Sequence, residues 1–123
     1  MALSLLIVDD HPAFRGFVSG MLAAEGFEVA GEAPDGESAI AAVEKLHPDA
    51  VLLDIQLPGI DGFEVARRIA AIEHGPRVVL TSLRPASDYG RRITNSPAMG
   101  FLPKQQLSGA ALAALLASPG PCG

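Results

Sequence analysis

Hydrophobic positions along this chain switch between two patterns. Leu3-Ser4-Leu5-Leu6-Ile7-Val8, Ala50-Val51-Leu52-Leu53, Val78-Val79-Leu80 and Phe101-Leu102-Pro103 are short apolar runs of strand length, and Phe27-Glu28-Val29-Ala30 reads as a short further strand. Between them, apolar residues recur every three or four positions. Phe14, Phe17, Val18, Met21 and Leu22 predict one face of a helix that starts at Pro12 and ends at Gly26. Residues 37–46 predict a second helix, with Ile40 and Val43 facing the core and Pro48 forbidding its continuation. Residues 63–72 predict a third, with Phe63, Ala66, Ile69 and Ala70 at helical spacing and Gly75-Pro76 breaking the chain. In residues 82–96, Gly90 and Asn95, with Pro97 beyond, leave room only for a short, weak helix. Residues 108–117 predict a last, Ala/Leu-rich helix capped by Ser108. Alternation of this kind predicts a doubly wound α/β fold, a parallel sheet with helices on both faces.

Composition narrows the picture. The 123 residues fit one domain, here 1–117, followed by a flexible C-terminal tail at 118–123. Apolar residues make up 49% and charged residues 19%, enough for a packed core and too apolar for disorder. The formal net charge of −5 argues against a nucleic-acid-binding surface. The lone cysteine, Cys122, admits no internal disulfide, which fits a reducing cytoplasm. The N-terminal apolar run is short, lacks a basic flank and ends in two aspartates, so it is neither a signal peptide nor a membrane span.

The strand ends carry the candidate chemistry. Asp9-Asp10, Asp54, Thr81 and Lys104 each fall at or just after the end of an apolar run. In an open parallel sheet the carboxyl ends of the strands share one edge, where ligands bind. Three carboxylates, a hydroxyl and an ammonium should therefore converge, a set suited to a divalent cation and a phosphoryl group. Mg²⁺ prefers oxygen ligands; Asp9, Asp10, Asp54 and the backbone carbonyl of Gln56 are the candidates. Crowded carboxylates without a cation should show a raised pKa. Asp54 would act as a nucleophile that needs no general base, because it is ionised at neutral pH. Lys104 and Mg²⁺ would neutralise phosphoryl oxygens while Thr81 donates a hydrogen bond.

Plainer roles compete at each position. One aspartate at a strand end usually caps a turn; only the combination favours a site. Asp61 reads as turn chemistry, and His11 as part of a helix start beside Pro12. His47 and His74 read as solvated, and no histidine pair has zinc-ligand spacing. Arg67-Arg68 and Arg91-Arg92 read as solvated helix faces. The final helix's Ala/Leu stripe reads as core, with any surplus apolar area there or near Phe14 a docking face.

The segments "LLIVDDHPAFR", "DAVLLDIQLPGIDGFEVARRI", "VVLTS" and "AMGFLPK" resemble the motifs of response-regulator receiver domains of two-component signalling, across essentially the whole chain. "DDHPAFR" and "GFLPK" are most similar to the NarL-type branch. The resemblance implies a flavodoxin-like (CheY-like) fold, with five parallel strands in order 2-1-3-4-5 and five helices. It implies Asp54 as phosphoacceptor, Asp9 and Asp10 as Mg²⁺ ligands, Thr81 and Lys104 as phosphoryl-binding residues, and Thr81 with Phe101 as the switch. The implied partners are a sensor histidine kinase or phosphotransfer protein and a downstream output protein or missing C-terminal output domain. A homodimer on phosphorylation is a further possibility. Gln105 follows Lys104 where many receivers have proline, so a cis bond there is not expected.

The leading expectation is a phosphoaccepting receiver, a signalling domain rather than an enzyme acting on a separate substrate. The alternative is a non-switching interaction module of the same fold, suggested by the unusual stretch at 82–97. A metal-dependent aspartyl phosphatase ranks lower, because Gln56 stands where such enzymes commonly place a second aspartate. Neither phosphate-binding glycine motif is present.

Overall fold

Each apolar run forms a strand, and helical crossovers carry the chain back so that all strands run the same way. The computed structural model describes residues 2–117, so the expected tail at 118–123 lies outside the described residues. The order is β1 (Ser4–Val8), α1 (Pro12–Ala24), β2 (Glu28–Ala33), α2 (Gly36–Leu46), β3 (Ala50–Asp54) and α3 (Gly62–Ala70). It continues with β4 (Arg77–Ser82), α4 (Arg91–Thr94), β5 (Gly100–Pro103) and α5 (Gly109–Leu116). The sheet is parallel in the order β2-β1-β3-β4-β5, the flavodoxin-like arrangement that the resemblance implies. The chain winds one way from β1 and the other way from β3. A crevice therefore opens beyond the carboxyl ends of these two neighbours.

Two cores flank the sheet, because a strand's side chains alternate between faces. Leu5, Ile7, Leu52, Val79 and Leu102 meet Val18 and Leu22 of α1 and Leu112 and Leu116 of α5. Leu6, Val8, Val51, Leu53 and Leu80 meet Ala39 and Val43 of α2 and Phe63, Ala66 and Ile69 of α3. Strands buried on both faces read as continuous apolar runs, which is why β1, β3 and β4 were legible. Helix starts are fastened by side chains: Asp35 accepts from Ser38 N at 2.8 Å, Asp61 from Glu64 N at 3.0 Å and Ser108 from Ala111 N at 3.1 Å.

Three expectations need correction. β2 spans Glu28–Ala33 rather than 27–30. Its register against β1 shifts between Leu5 and Leu6, so that Val29 and Gly31 face successive residues. This bulge breaks the period-two pattern and hides the strand's second half. Phe17 does not face the core; it is 68% exposed. One helical position is a rotation of about 100°, and the line through Val18 and Leu22 takes the contact with the sheet. α3 ends at Ala70 rather than at 72, because its last turn tightens: Ile72 N donates to Ile69 O at 3.0 Å. The weak helix expected in 82–96 is a 3₁₀ turn at Ala86–Asp88 and the four-residue α4.

Candidate functional site

Strand register assembles the site. Asp54, the last residue of β3, pairs with Thr81 of β4, which pairs with Leu102 of β5. Asp9 and Asp10 follow β1, and Lys104 follows β5. Asp9 and Asp54 are buried. Asp9 Oδ1 accepts from His11 N at 2.9 Å, and Asp54 Oδ1 accepts from Gln56 N at 3.0 Å. Lys104 bridges the remaining oxygens: Nζ donates to Asp9 Oδ2 at 2.6 Å and to Asp54 Oδ2 at 3.2 Å. Its ammonium lies 4.3 Å from the centre of the Phe14 ring.

Asp10 is half-buried, yet its Oδ1 is shielded and makes no hydrogen bond. The nearest cation-capable atom is His11 Nδ1, at 3.0 Å. One ligand atom from each of Asp9, Asp10 and His11 lies within 4.8 Å of the others. Lys104 pairs with Asp9 and Asp54, whereas Asp10 has no such ammonium partner among the described residues and lies with Asp9 and His11. An orphaned carboxylate oxygen beside a second carboxylate fits a hard divalent cation such as Mg²⁺, with the His11 imidazole at the rim of the same cluster.

Titration follows from burial. Burial pushes the Asp54 carboxyl above its ordinary value; Lys104 and the Gln56 N–H pull it down, Asp9 adds to the rise, and the balance is upward. Burial disfavours the charge on Lys104, but the hydrogen bond to Asp9 and the attraction of Asp54 and Asp9 outweigh it, and its pKa rises.

Not every expected contact is made. The buried Thr81 hydroxyl donates to the Leu102 carbonyl at 2.6 Å rather than joining the acidic pocket. Gln56 has an exposed side chain, and its backbone N–H serves Asp54. Phe101 is half-buried, with its ring centre 6.2 Å from that of Tyr89. His11 is the N-cap residue of α1, as expected, although its side chain makes no cap bond. Asp61 caps α3 and also pairs with Arg92 at 3.0 Å. Among the described residues no peptide bond is cis.

Other participants escaped the sequence. Arg15 donates to the Asp9 carbonyl at 2.6 Å and to Glu32 at 2.9 Å, tying the start of α1 to the ends of β1 and β2. Ser82 and Tyr89 share a hydrogen bond at 2.6 Å. Their separation has no periodic signature, so single-sequence reasoning had no handle on that pair.

The family model described as the response regulator receiver domain matches residues 5–116. The transcription regulator BvgA of Bordetella pertussis is 38% identical over 102 residues, 83% of this chain and 49% of that protein. The transcriptional regulatory protein DegU of Brevibacillus brevis is 35% identical over 104 residues, 84% of this chain and 44% of that protein. The chain thus spans about half the length of the curated relatives it matches. The signal receiver domain of NarL from Mycobacterium tuberculosis is 31% identical with a TM-score of 0.84, over 95% of this chain and 98% of that one. Among the described residues no helix is long and apolar enough to cross a membrane.

Proposed function

Because the chain belongs to the response-regulator receiver family, we propose that it accepts a phosphoryl group on Asp54 and thereby changes the surface formed by residues 82–101. The observation that carries this reading is the Lys104 ammonium hydrogen-bonded to both buried carboxylates, Asp9 and Asp54. Phosphoryl transfer asks a protein for position and charge neutralisation, and this pocket concentrates both.

The donor is a phosphohistidine on a sensor histidine kinase or phosphotransfer protein. An Asp54 carboxylate oxygen attacks phosphorus; the new O–P bond forms as the donor's N–P bond breaks, and the freed imidazole nitrogen takes up a proton. Lys104 exchanges its contact with Asp54 for one with a phosphoryl oxygen. Asp9, Asp10, Asp54 and the Gln56 carbonyl hold Mg²⁺, which when bound supplies the positive charge that offsets the phosphoryl oxygens. Thr81 gives up Leu102 for a phosphoryl oxygen, and Phe101 turns inward. Hydrolysis of the aspartyl phosphate by water releases inorganic phosphate, returns the Asp54 carboxylate and resets the domain. BvgA and DegU are transcription regulators by name. This receiver accordingly works in the cytoplasm on a C-terminal output domain or a separate output protein, by a changed contact surface or by dimerisation.

Intact-protein mass after incubation with acetyl phosphate and Mg²⁺ tests the reading. One phosphoryl gain in the wild type, absent from Asp54→Asn and absent without Mg²⁺, is the expected result. Equal uptake by Asp54→Asn would overturn it. The four-residue α4 favours a second reading, an interaction module that does not switch. That reading requires identical partner affinity with and without phosphate.

A further inference from the structure

The segment joining β4 to β5 contains little regular structure, one 3₁₀ turn and the short α4. Ile93 packs on the core and Gln105 donates to the Leu83 carbonyl at 3.2 Å, and Tyr89 adds the one aromatic ring of the segment. Ser82 closes β4 directly after Thr81 and is fully buried. Its hydroxyl lies 2.6 Å from the Tyr89 phenol oxygen and accepts from Arg84 N at 3.0 Å. The Tyr89 ring stands edge-on to Phe63, 5.7 Å between centres, and 6.2 Å from Phe101. Arg92 covers the same Phe63 ring at 4.3 Å while paired with Asp61. Tyr89 therefore touches the neighbour of the switch hydroxyl, the switch aromatic and the first turn of α3. Phe101 has no hydroxyl; in this cluster the polar handle belongs to Tyr89.

We propose that Tyr89 is a positioning residue of the phosphorylation switch, its phenol latched to Ser82 and holding residues 83–96 in the resting arrangement. The inference rests on the phosphoacceptor reading of Asp54. Successive strand residues point to opposite faces. Thr81 works at the pocket edge, whereas Ser82 lies on the face of Leu80, where Tyr89 and Phe101 pack. Moving Thr81 from Leu102 toward a phosphoryl group displaces Ser82. A hydrogen bond this short weakens steeply when its geometry is disturbed. The latch then opens, Phe101 turns, and residues 83–96 are released to present a different surface.

The chain supplies its own reporter: Tyr89 is the only tyrosine and there is no tryptophan. Wild type, Asp54→Asn, Tyr89→Phe, Ser82→Ala and the double variant are incubated with acetyl phosphate and Mg²⁺, following intact mass in all five and tyrosine emission in the three that keep Tyr89. Emission in the wild type should change in step with phosphoryl gain and stay constant in Asp54→Asn. Tyr89→Phe should take up phosphate about fivefold faster, the equivalent of one lost hydrogen bond, and Ser82→Ala at least as fast, because it also loses the bond from Arg84 N. The double variant should be no faster than Ser82→Ala, because that single variant already removes the bond to Tyr89. A merely structural tyrosine would alter thermal stability and leave uptake rate and emission alone. Phosphoryl gain without an emission change, with Tyr89→Phe at the wild-type rate, would overturn the latch and leave the Asp54 reading standing. If no phosphoryl group is gained from acetyl phosphate or from a phosphohistidine donor, the Asp54 reading fails. Amide hydrogen exchange of 83–96 then tests the latch by itself: faster exchange in Tyr89→Phe supports it, and unchanged exchange overturns it.

Discussion

Asp9, Asp54 and Lys104 are each hard to bury alone, and their mutual contacts make the pocket tolerable. Lys104→Met would leave two buried carboxylates facing each other without their ammonium. We expect urea unfolding to show a loss of about 3 kcal/mol, partly recovered in the double variant with Asp54→Asn. Asp54 itself is strained in the opposite sense. Unfolded, its carboxyl titrates near 3.8; in the native pocket burial raises it. The folded state thus holds this proton more tightly than the unfolded one. The resulting stability is fully present below pH 3.8 and is lost as pH rises through the native value. Asp54→Asn escapes that loss. It should melt above the wild type at pH 7, and the gap should close as pH falls toward 3.8. A constant gap across that range, in thermal melts without Mg²⁺, would contradict the assignment.

At the scale of elements, α3 is held against the end of β3 by Gly62. A methyl group at this position would lie 2.6 Å from the Asp54 carbonyl oxygen and 2.6 Å from Ile55 Cα, both backbone atoms that cannot swing aside. The close approach lets Gly62 N donate to Ile55 O at 2.8 Å, fixing the loop that carries Gln56. Gly62→Ala should destabilise the fold by about 1–3 kcal/mol, and it should also slow phosphoryl uptake, because any relief moves the backbone that bears Asp54. Chemical denaturation paired with the acetyl phosphate assay checks both effects. On the other side of the sheet, Glu25 reaches from the end of α1 to accept from Gly109 N at 3.0 Å, where α5 begins. The two helices of that face are thereby joined at one end by a charge-assisted bond as well as by packing.

Across the whole molecule, the reversal of winding between β1 and β3 brings the strand-end residues Asp9, Asp10 and Asp54 to one edge of the sheet. A cation seated there binds the folded chain only, since the unfolded chain scatters its ligands over 45 positions of sequence between Asp9 and Asp54. At free Mg²⁺ a hundredfold above its dissociation constant, stability should rise by about 2.7 kcal/mol, seen as a higher melting temperature that is abolished by Asp10→Asn. Much of this architecture was legible beforehand. The runs that became β1, β3 and β4 are buried on both faces, so their hydrophobicity is continuous; the polar residue ending each run marks the sheet edge. Ser108 announced the start of α5 by its side-chain chemistry. The second half of β2 was not legible, because a bulge at Ala30 breaks the alternation, nor was the exposure of Phe17, because a helix's apolar stripe can be wider than its contact. Periodicity and turn chemistry are local, so the sequence alone carried β1, β3 and β4 and the polar residues Asp9, Asp54 and Thr81 at or just after their ends. Only the tertiary structure decided that Lys104 bridges Asp9 and Asp54, that Thr81 bonds Leu102 and that Tyr89 meets Ser82. Those contacts depend on register between strands and on side-chain direction across elements, neither of which any one segment encodes.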